Sequence, residues 1–406
     1  MNPYRSDGKD ILKTNMQNKT WPTKKLCEIC DLVKGTEPGG NAYIRKVDNA
    51  IQFIRVGDLT GKVDNPKFIS TKLENLTIVN PDEILITFDG TPGIVAKGWK
   101  GAISSGTRVI RNIKQDEILK DFLFYYLKIS PVQEIIKSYT IGVTILHASR
   151  AIPHIEIPIP PFTIQQKIVE RLDAIRKAHE LNDRQIALAD ELFQSLLYKE
   201  LDPKRKNWGV KQLGEFILVF DRGTSWSKKD EREEKNGIPV LRIPNILQNE
   251  IILKDLKFIS PNIKTAPILE ANDIIMVASN GNPDLVARSA LVSNKEKNLA
   301  FASFLSRIRF DQDKILPYFV QLFFNTKQFK KSVRQKISTT SGIYNLKKEY
   351  IERIKISLPP LETQRQIVEK LQAVQDYKKK LLEQKQKLQE LFDSCLDKAM
   401  KGELVK

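Results

Sequence analysis

Histidine and cysteine are scarce in this 406-residue chain, with three of each. Three cysteines cannot build a disulfide framework, which points to a reducing, cytoplasmic compartment. Cys27 and Cys30 have redox or zinc spacing, but no second Cys or His pair supplies the remaining ligands. His147, His154 and His179 fall at no metal-ligand spacing, so no metal is expected. Phosphate-binding glycine loops are also missing: there is no Gly-x-x-x-x-Gly-Lys and no Gly-x-Gly-x-x-Gly after a strand, which argues against ATP hydrolysis and dinucleotide chemistry. The Asn- or Asp-Pro-Pro-aromatic tetrapeptide of amino-methyltransferases is absent. No apolar run is long enough to span a bilayer, and residues 1–20 are polar and charged, so neither a span nor a leader is expected.

What the chain has in excess is positive charge: 66 Lys and Arg stand against 49 Asp and Glu, for a net +17. Such a charge suggests a polyanionic partner, most simply nucleic acid. The excess is unevenly placed, at +5 in residues 1–160, −1 in 161–200, +11 in 201–360 and +2 in 361–406.

The chain also repeats itself. Trp21, Leu26 and Glu28 recur as Trp208, Leu213 and Glu215, each 187 residues on, and Arg55 in "FIRVGDL" pairs with Arg242 in "VLRIPNI" at the same offset. "PDEILITFDG" resembles "ANDIIMVASNG", and "IPIPPFTIQQKIVERLDAI" matches "ISLPPLETQRQIVEKLQAV" 199 residues later. A unit this long is a duplicated domain and not a solenoid repeat. Within each unit, short Val-, Ile- and Phe-rich runs bounded by Gly, Asn, Asp and Pro predict a β-rich globular domain. A helical stretch follows, Ile118 to Ile136 and Ile315 to Ile337, and then a Pro-Pro stop at Pro160-Pro161 and Pro359-Pro360. The fold class expected is α+β, with boundaries at 1–160, 161–201, 202–360 and 361–406. Residues 1–20 have no counterpart in the second unit and read as a tail or a contact with the C-terminal helix.

Each unit ends in a long helix. Thr163 with Gln166, and Thr363 with Gln366, have capping-box spacing. One seam runs Ile168, Leu172, Ile175, His179, Asn182, Ile186, Ala189, Phe193, Leu196; the other runs Ile367, Leu371, Val374, Lys378, Leu381, Lys385, Leu388, Phe392, Cys395. Steps of four and three are the pattern of a coiled coil, and the simplest partner for each seam is the other. The polar seam positions either fix register or face a partner or water.

No acid, His or Cys cluster is shared by the two units, so no catalytic residue is assigned. Cys27 and Cys30 correspond to Gly214 and Ile217, which reads as packing. The loops carry more promise. Lys34-Gly35-Thr36 and Arg222-Gly223-Thr224 occupy the same place in the two units, and a cation before a glycine suits either an ordinary turn with a solvated cation or a backbone approaching a phosphate. Asp89-Gly90 and Asn280-Gly281 are a second pair of loop sites. A basic stretch holds Lys330, Lys331, Arg334, Lys336, Lys347 and Lys348, with Tyr344 and Asn345; it suits either phosphate contacts with base-edge readout by Asn345 or one solvated helix face. The candidate DNA-binding residues are these two loop pairs, Arg55 and Arg242, and, from the basic stretch, Tyr344, Asn345 and Lys347.

Two variable globular domains alternating with two similar helices, each domain opened by Trp-(x)₄-Leu-x-Glu and each helix by Pro-Pro and Gln-x-x-Ile-Val-Glu, resemble the specificity subunit of a type I restriction–modification system. The resemblance covers the chain from about Trp21 to Leu404. It implies two target recognition domains, each reading one half of a gapped duplex DNA sequence. It also implies antiparallel spacer helices that set the gap and dock methyltransferase subunits, with restriction subunits recruited in turn. S-adenosylmethionine and ATP are then expected on the partners, with no cofactor on this chain. A related system whose partner fuses nuclease and methyltransferase, a self-contained nuclease and a coiled-coil adaptor without a DNA role are the competing readings.

Overall fold

The run Ile84–Thr87 shows how one unit is layered. Ile84 and Ile86 face one core with helices, while Leu85 faces another with Ile54, Val79 and Ile103, as the two-residue period of a strand requires. In the second unit Ile274 and Met276 face the helical core while Ile275 and Val277 face Leu241 and Phe301. The computed structural model describes residues 21–61, 65–201, 208–247, 249–263, 267–340 and 342–404. The segment expected as a tail or helix contact (1–20) and the first residues of the expected second domain (202–207) lie outside the described residues.

The chain divides into two compact units, one of residues up to Asp183 together with those from Glu383 on, the other Arg184–Leu382. Unit 1 has an antiparallel four-stranded sheet ordered Asp31–Lys34, Thr107–Arg111, Ile84–Thr87, Val95–Ala96. A second sheet joins Ala50–Ile54 in parallel to Gly101–Ile103. Unit 2 repeats both: Ile217–Arg222, Leu305–Phe310, Ile274–Val277, Ser289–Leu291 form the first sheet, and Ile238–Leu241 runs parallel to Ala300–Phe301 in the second. A two-stranded clip closes each domain, Thr23–Lys25 on Glu156–Pro158 and Gly209–Gln212 on Lys355–Leu358. The duplication read from sequence is therefore a duplication of topology, and the fold is α+β.

Each expected helical stretch is two helices: Lys120–Tyr126 and Ser130–Ser138 in unit 1, Pro317–Phe324 and Lys327–Lys336 in unit 2. Pro131 in the first turn restarts the one, and the Thr326 hydroxyl, accepting from Phe329 N, caps the other.

The long helices are Phe162–Leu201 and Leu361–Met400, 40 residues each, or about 60 Å at ~1.5 Å per residue. They begin before Thr163 and Thr363, so the expected capping boxes are replaced by a different device. Gln165 is fully buried; its Nε2 donates to Pro160 O (2.8 Å) and Glu117 O (3.0 Å), and its Oε1 accepts from Leu119 N (2.7 Å). Gln364 repeats this with Pro359 O (2.9 Å), Lys314 O (3.4 Å) and Leu316 N (2.8 Å). One amide thus ties the helix start to the domain before it.

Within unit 1, Asp183 pairs with Lys385 at 2.6 Å and Arg171 donates to Leu404 O; within unit 2, Asp190 pairs with Lys378 and Glu200 with Lys370, both at 2.6 Å. Numbers rise on one helix as they fall on the other, so the segments run antiparallel in each unit. Ile168, Leu172, Phe193, Ile367, Leu371 and Leu381 are buried, and Ile175, Ile186, Val374, Leu388 and Phe392 half-buried, along this seam. Lys378 and Lys385 reach sideways to the two aspartates. Asn182, 1% exposed, keeps both amide atoms without a protein partner, the kind of polar position that fixes coiled-coil register. Among the described residues no helix is long and apolar enough to cross a membrane.

Candidate nucleic-acid interface

Unit 1 carries a cleft of about 750 Å³ between the edge of the four-stranded sheet and the loops that follow it. It brings together four residues singled out from sequence, Lys34, Arg55, Asp89 and Gly90, and adds Arg108, His147 and Arg150. Lys34 and Arg150 are exposed, whereas Arg108 is 7% exposed. Strand pairing builds the centre: Arg108 sits opposite Lys34, and His147 opposite Asp89 on a two-residue ladder. Asp89 lies 2.9 Å from His147 Nδ1 and 3.6 Å from Arg108 Nη2, and Arg108 also donates to Ser149 Oγ and Ser105 O. Burial pulls the Arg108 guanidinium below its ordinary range, and the charge of Asp89 opposes that pull.

Unit 2 has the same framework with other side chains. Arg222 Nη1 donates to Ser279 Oγ at 2.7 Å, and Ser279 Oγ donates to Asn345 Oδ1 at 2.5 Å. Register shows Ser279 opposite Asn345, so the equivalents of Asp89 and His147 are Ser279 and Asn345, with Asn280 matching Gly90. The loop pair read from sequence as Asp89-Gly90 with Asn280-Gly281 is shifted by one residue. The guanidinium has changed strands: Arg222 stands at the place of Lys34, and opposite it the place of Arg108 holds Ser306. Burial lowers the pKa of Arg222 as well.

Gly35 and Gly223 have a job inside the protein. A Cβ on either would stand 2.1 Å from a backbone oxygen, of Ser104 or of Phe301. Their amides are already used, by Thr107 O and Leu305 O, and those of Thr36 and Thr224 by Ile103 O and Phe301 O. The close backbone approach is therefore to a neighbouring strand, and Lys34 and Arg222 are what these motifs offer outward. Arg55 and Arg242 both start a short turn. Arg55 is held by Asp58 through two hydrogen bonds and by Asn65 O, and the Asp58 carboxylate raises its pKa. Arg242 donates to Asp255 O, but the residue three on is Asn245, so no acid neutralises it there, and its Nε is buried without a protein partner.

The basic stretch of unit 2 is split. Lys330, Lys331 and Arg334 border a separate cavity of about 920 Å³ with Arg288, Lys378 and Lys379. Lys347 is exposed at the start of the helix Lys348–Glu352, and Tyr344 and Asn345 lie half-buried on the hairpin strand beside Ser279 and Asn280. Gly281 is exposed in the loop that follows. Arg108, His147, Arg150 and Ser279 are members of the site that the sequence does not single out. The local signal was weak, because cross-strand register makes them neighbours.

The family model for the type I restriction modification DNA specificity domain matches this chain twice, over residues 18–189 and 205–391. The chain is 26% identical to the type I restriction enzyme MjaVIII specificity subunit of Methanocaldococcus jannaschii, over 94% of this chain and 91% of that one. It is 24% identical to the EcoKI specificity subunit of Escherichia coli K12, over 95% and 89%. In fold it is similar to the crystal structure of the S subunit of a type I system from M. genitalium, with a TM-score of 0.57 at 15% identity over 94% and 96% of the two chains. With a chain from a solved type I R-M system the TM-score is 0.61, at 18% identity over 95% and 98%. Two matched segments, one per topological repeat, cover most of the sequence, and the chain belongs to the type I restriction–modification DNA specificity family.

Proposed function

We propose that this specificity subunit reads a bipartite duplex DNA target, each unit contacting one half, and that it positions methyltransferase and restriction subunits on that target without chemistry of its own. The observation that carries the reading is the pair of matched loop clusters, Lys34–Arg108–Asp89–His147 and Arg222–Ser279–Asn345, built on one framework from different side chains. One framework on two units suits two half-sites, and different side chains suit halves of different sequence. Exposed cations at the rim, Lys34 and Arg150, suit phosphate contacts, which make affinity fall steeply with salt. The paired long helices would set the gap and offer the docking surface for the methyltransferase. On this reading S-adenosylmethionine and ATP belong to the partner subunits, and the complex works in the cytoplasm.

The test is methylome sequencing of cells expressing this chain with its companion methyltransferase, against cells lacking this chain. A methyladenine motif in two unlike parts around a fixed gap, present only with this chain, is the expected result. Methylation that does not depend on this chain, in cells whose methyltransferase is active, contradicts it.

A further inference from the structure

The two units differ in the tip of one hairpin. In unit 1 the backbones of Ile141 and His147 bond each other at 2.9 and 2.8 Å, and the chain between them turns back through residues 142–146. Val143 at that tip is fully exposed, and Ile141 and Ile145 are more than half exposed. The turn is tightly wound: Gly142 has φ +113°, and a Cβ there would stand 2.1 Å from Ile145 O, so only glycine fits. Ile141 and Ile145 line the same cleft as Lys34 and Arg150. The matching hairpin of unit 2, Ser338–Thr340 with Ile343–Asn345, is rich in hydroxyl and amide groups.

A pre-shaped aliphatic tip standing in water marks an interaction site, and its cationic surroundings select a polyanion. A two-stranded ribbon fits the DNA major groove as it stands, at about 12 Å wide, whereas the minor groove, at about 6 Å, takes one only when the duplex is bent or widened. Among the groups that base edges present in the major groove, the apolar one is the thymine 5-methyl. We propose that this tip reads thymine: it enters the major groove and buries Val143 and Ile145 against 5-methyl groups in the half-site of unit 1, while Lys34 and Arg150 hold the flanking phosphates. The inference rests on the DNA-reading role proposed above and adds the base chemistry of one half.

The experiment uses the full chain in complex with its companion methyltransferase and the duplex target given by the methylome. Each thymine is replaced singly by deoxyuridine, which removes only the methyl. Wild type should lose about fourfold in affinity at the sensitive positions, from ~0.8 kcal/mol per buried methyl, all in one half. The Val143→Ser/Ile145→Ser variant, altered at exposed positions, should be insensitive at those same positions. Indifference of wild type to every uracil overturns the inference, as does a variant that keeps the sensitivity. A variant that no longer assembles with the methyltransferase also overturns it, by making the tip a protein-docking surface. If wild type shows no sequence preference before any uracil is introduced, the DNA-reading role itself fails, and that result is distinct.

Discussion

Unit 1 and unit 2 differ most where each presents side chains outward, and least where backbone meets backbone. A Cβ added at Gly35 or at Gly223 would stand at the same 2.1 Å from a carbonyl oxygen, and Gln165 and Gln364 make matching sets of three hydrogen bonds. On that shared frame the guanidinium comes from Arg108 in one unit and from the opposite strand, as Arg222, in the other. Asp89 and His147 become Ser279 and Asn345, and the acid that neutralises Arg55 becomes an amide beside Arg242. Positions whose neighbours are backbone atoms have no freedom to change. Positions whose neighbours are solvent or a ligand do.

The comparison breaks most visibly at the glycines. Gly35→Ala and Gly223→Ala should each destabilise the unit that holds them, by about 3 kcal/mol, since the new Cβ meets backbone that cannot move aside. Thermal unfolding checks this, and unequal losses would show that the frames are not equivalent. Next come Gln165→Ala and Gln364→Ala, which strand buried backbone groups at a cost of about 1–3 kcal/mol each. Denaturant unfolding should show similar losses for the two.

The outward residues should act on DNA binding instead. Lys34→Ala or Arg150→Ala, each removing an exposed rim cation and assayed in the methyltransferase complex, should flatten the slope of log K against log salt by about 0.9. The smallest effect is the most pointed: Asp58→Asn gives unit 1 the amide that unit 2 has at Asn245 and frees the charge of Arg55. Affinity for DNA should then rise at low salt, with a slope steeper by up to about one. An unchanged slope would mean that Arg55 serves the turn alone.

Much of the frame was legible in the sequence because its determinants are local or periodic. The seam from Ile168 to Phe193 shows in steps of three and four, and the repeat shows in Trp21 and Trp208. Arg55 with Asp58 is also local, three residues apart, and could have been read as a capped turn. The site was less legible because register makes it. Nothing near Arg108 in sequence says that Lys34 and Asp89 will be its neighbours, and nothing near Gly35 says that Ser104 O fills the space over it. The aliphatic tip Val143–Leu146 is hardest, because its composition is that of a buried strand while its place is in solvent.

If each unit reads its own half of the target, substitutions in the two units must act on separate halves. The most direct test is to sequence the methylomes of cells carrying Arg108→Ala or Arg222→Ala in this chain, with the methyltransferase supplied. Each substitution should relax or abolish recognition of one half, a different half for each, and leave the gap unchanged. Changes to the same half in both variants, or to neither half in either, would contradict it.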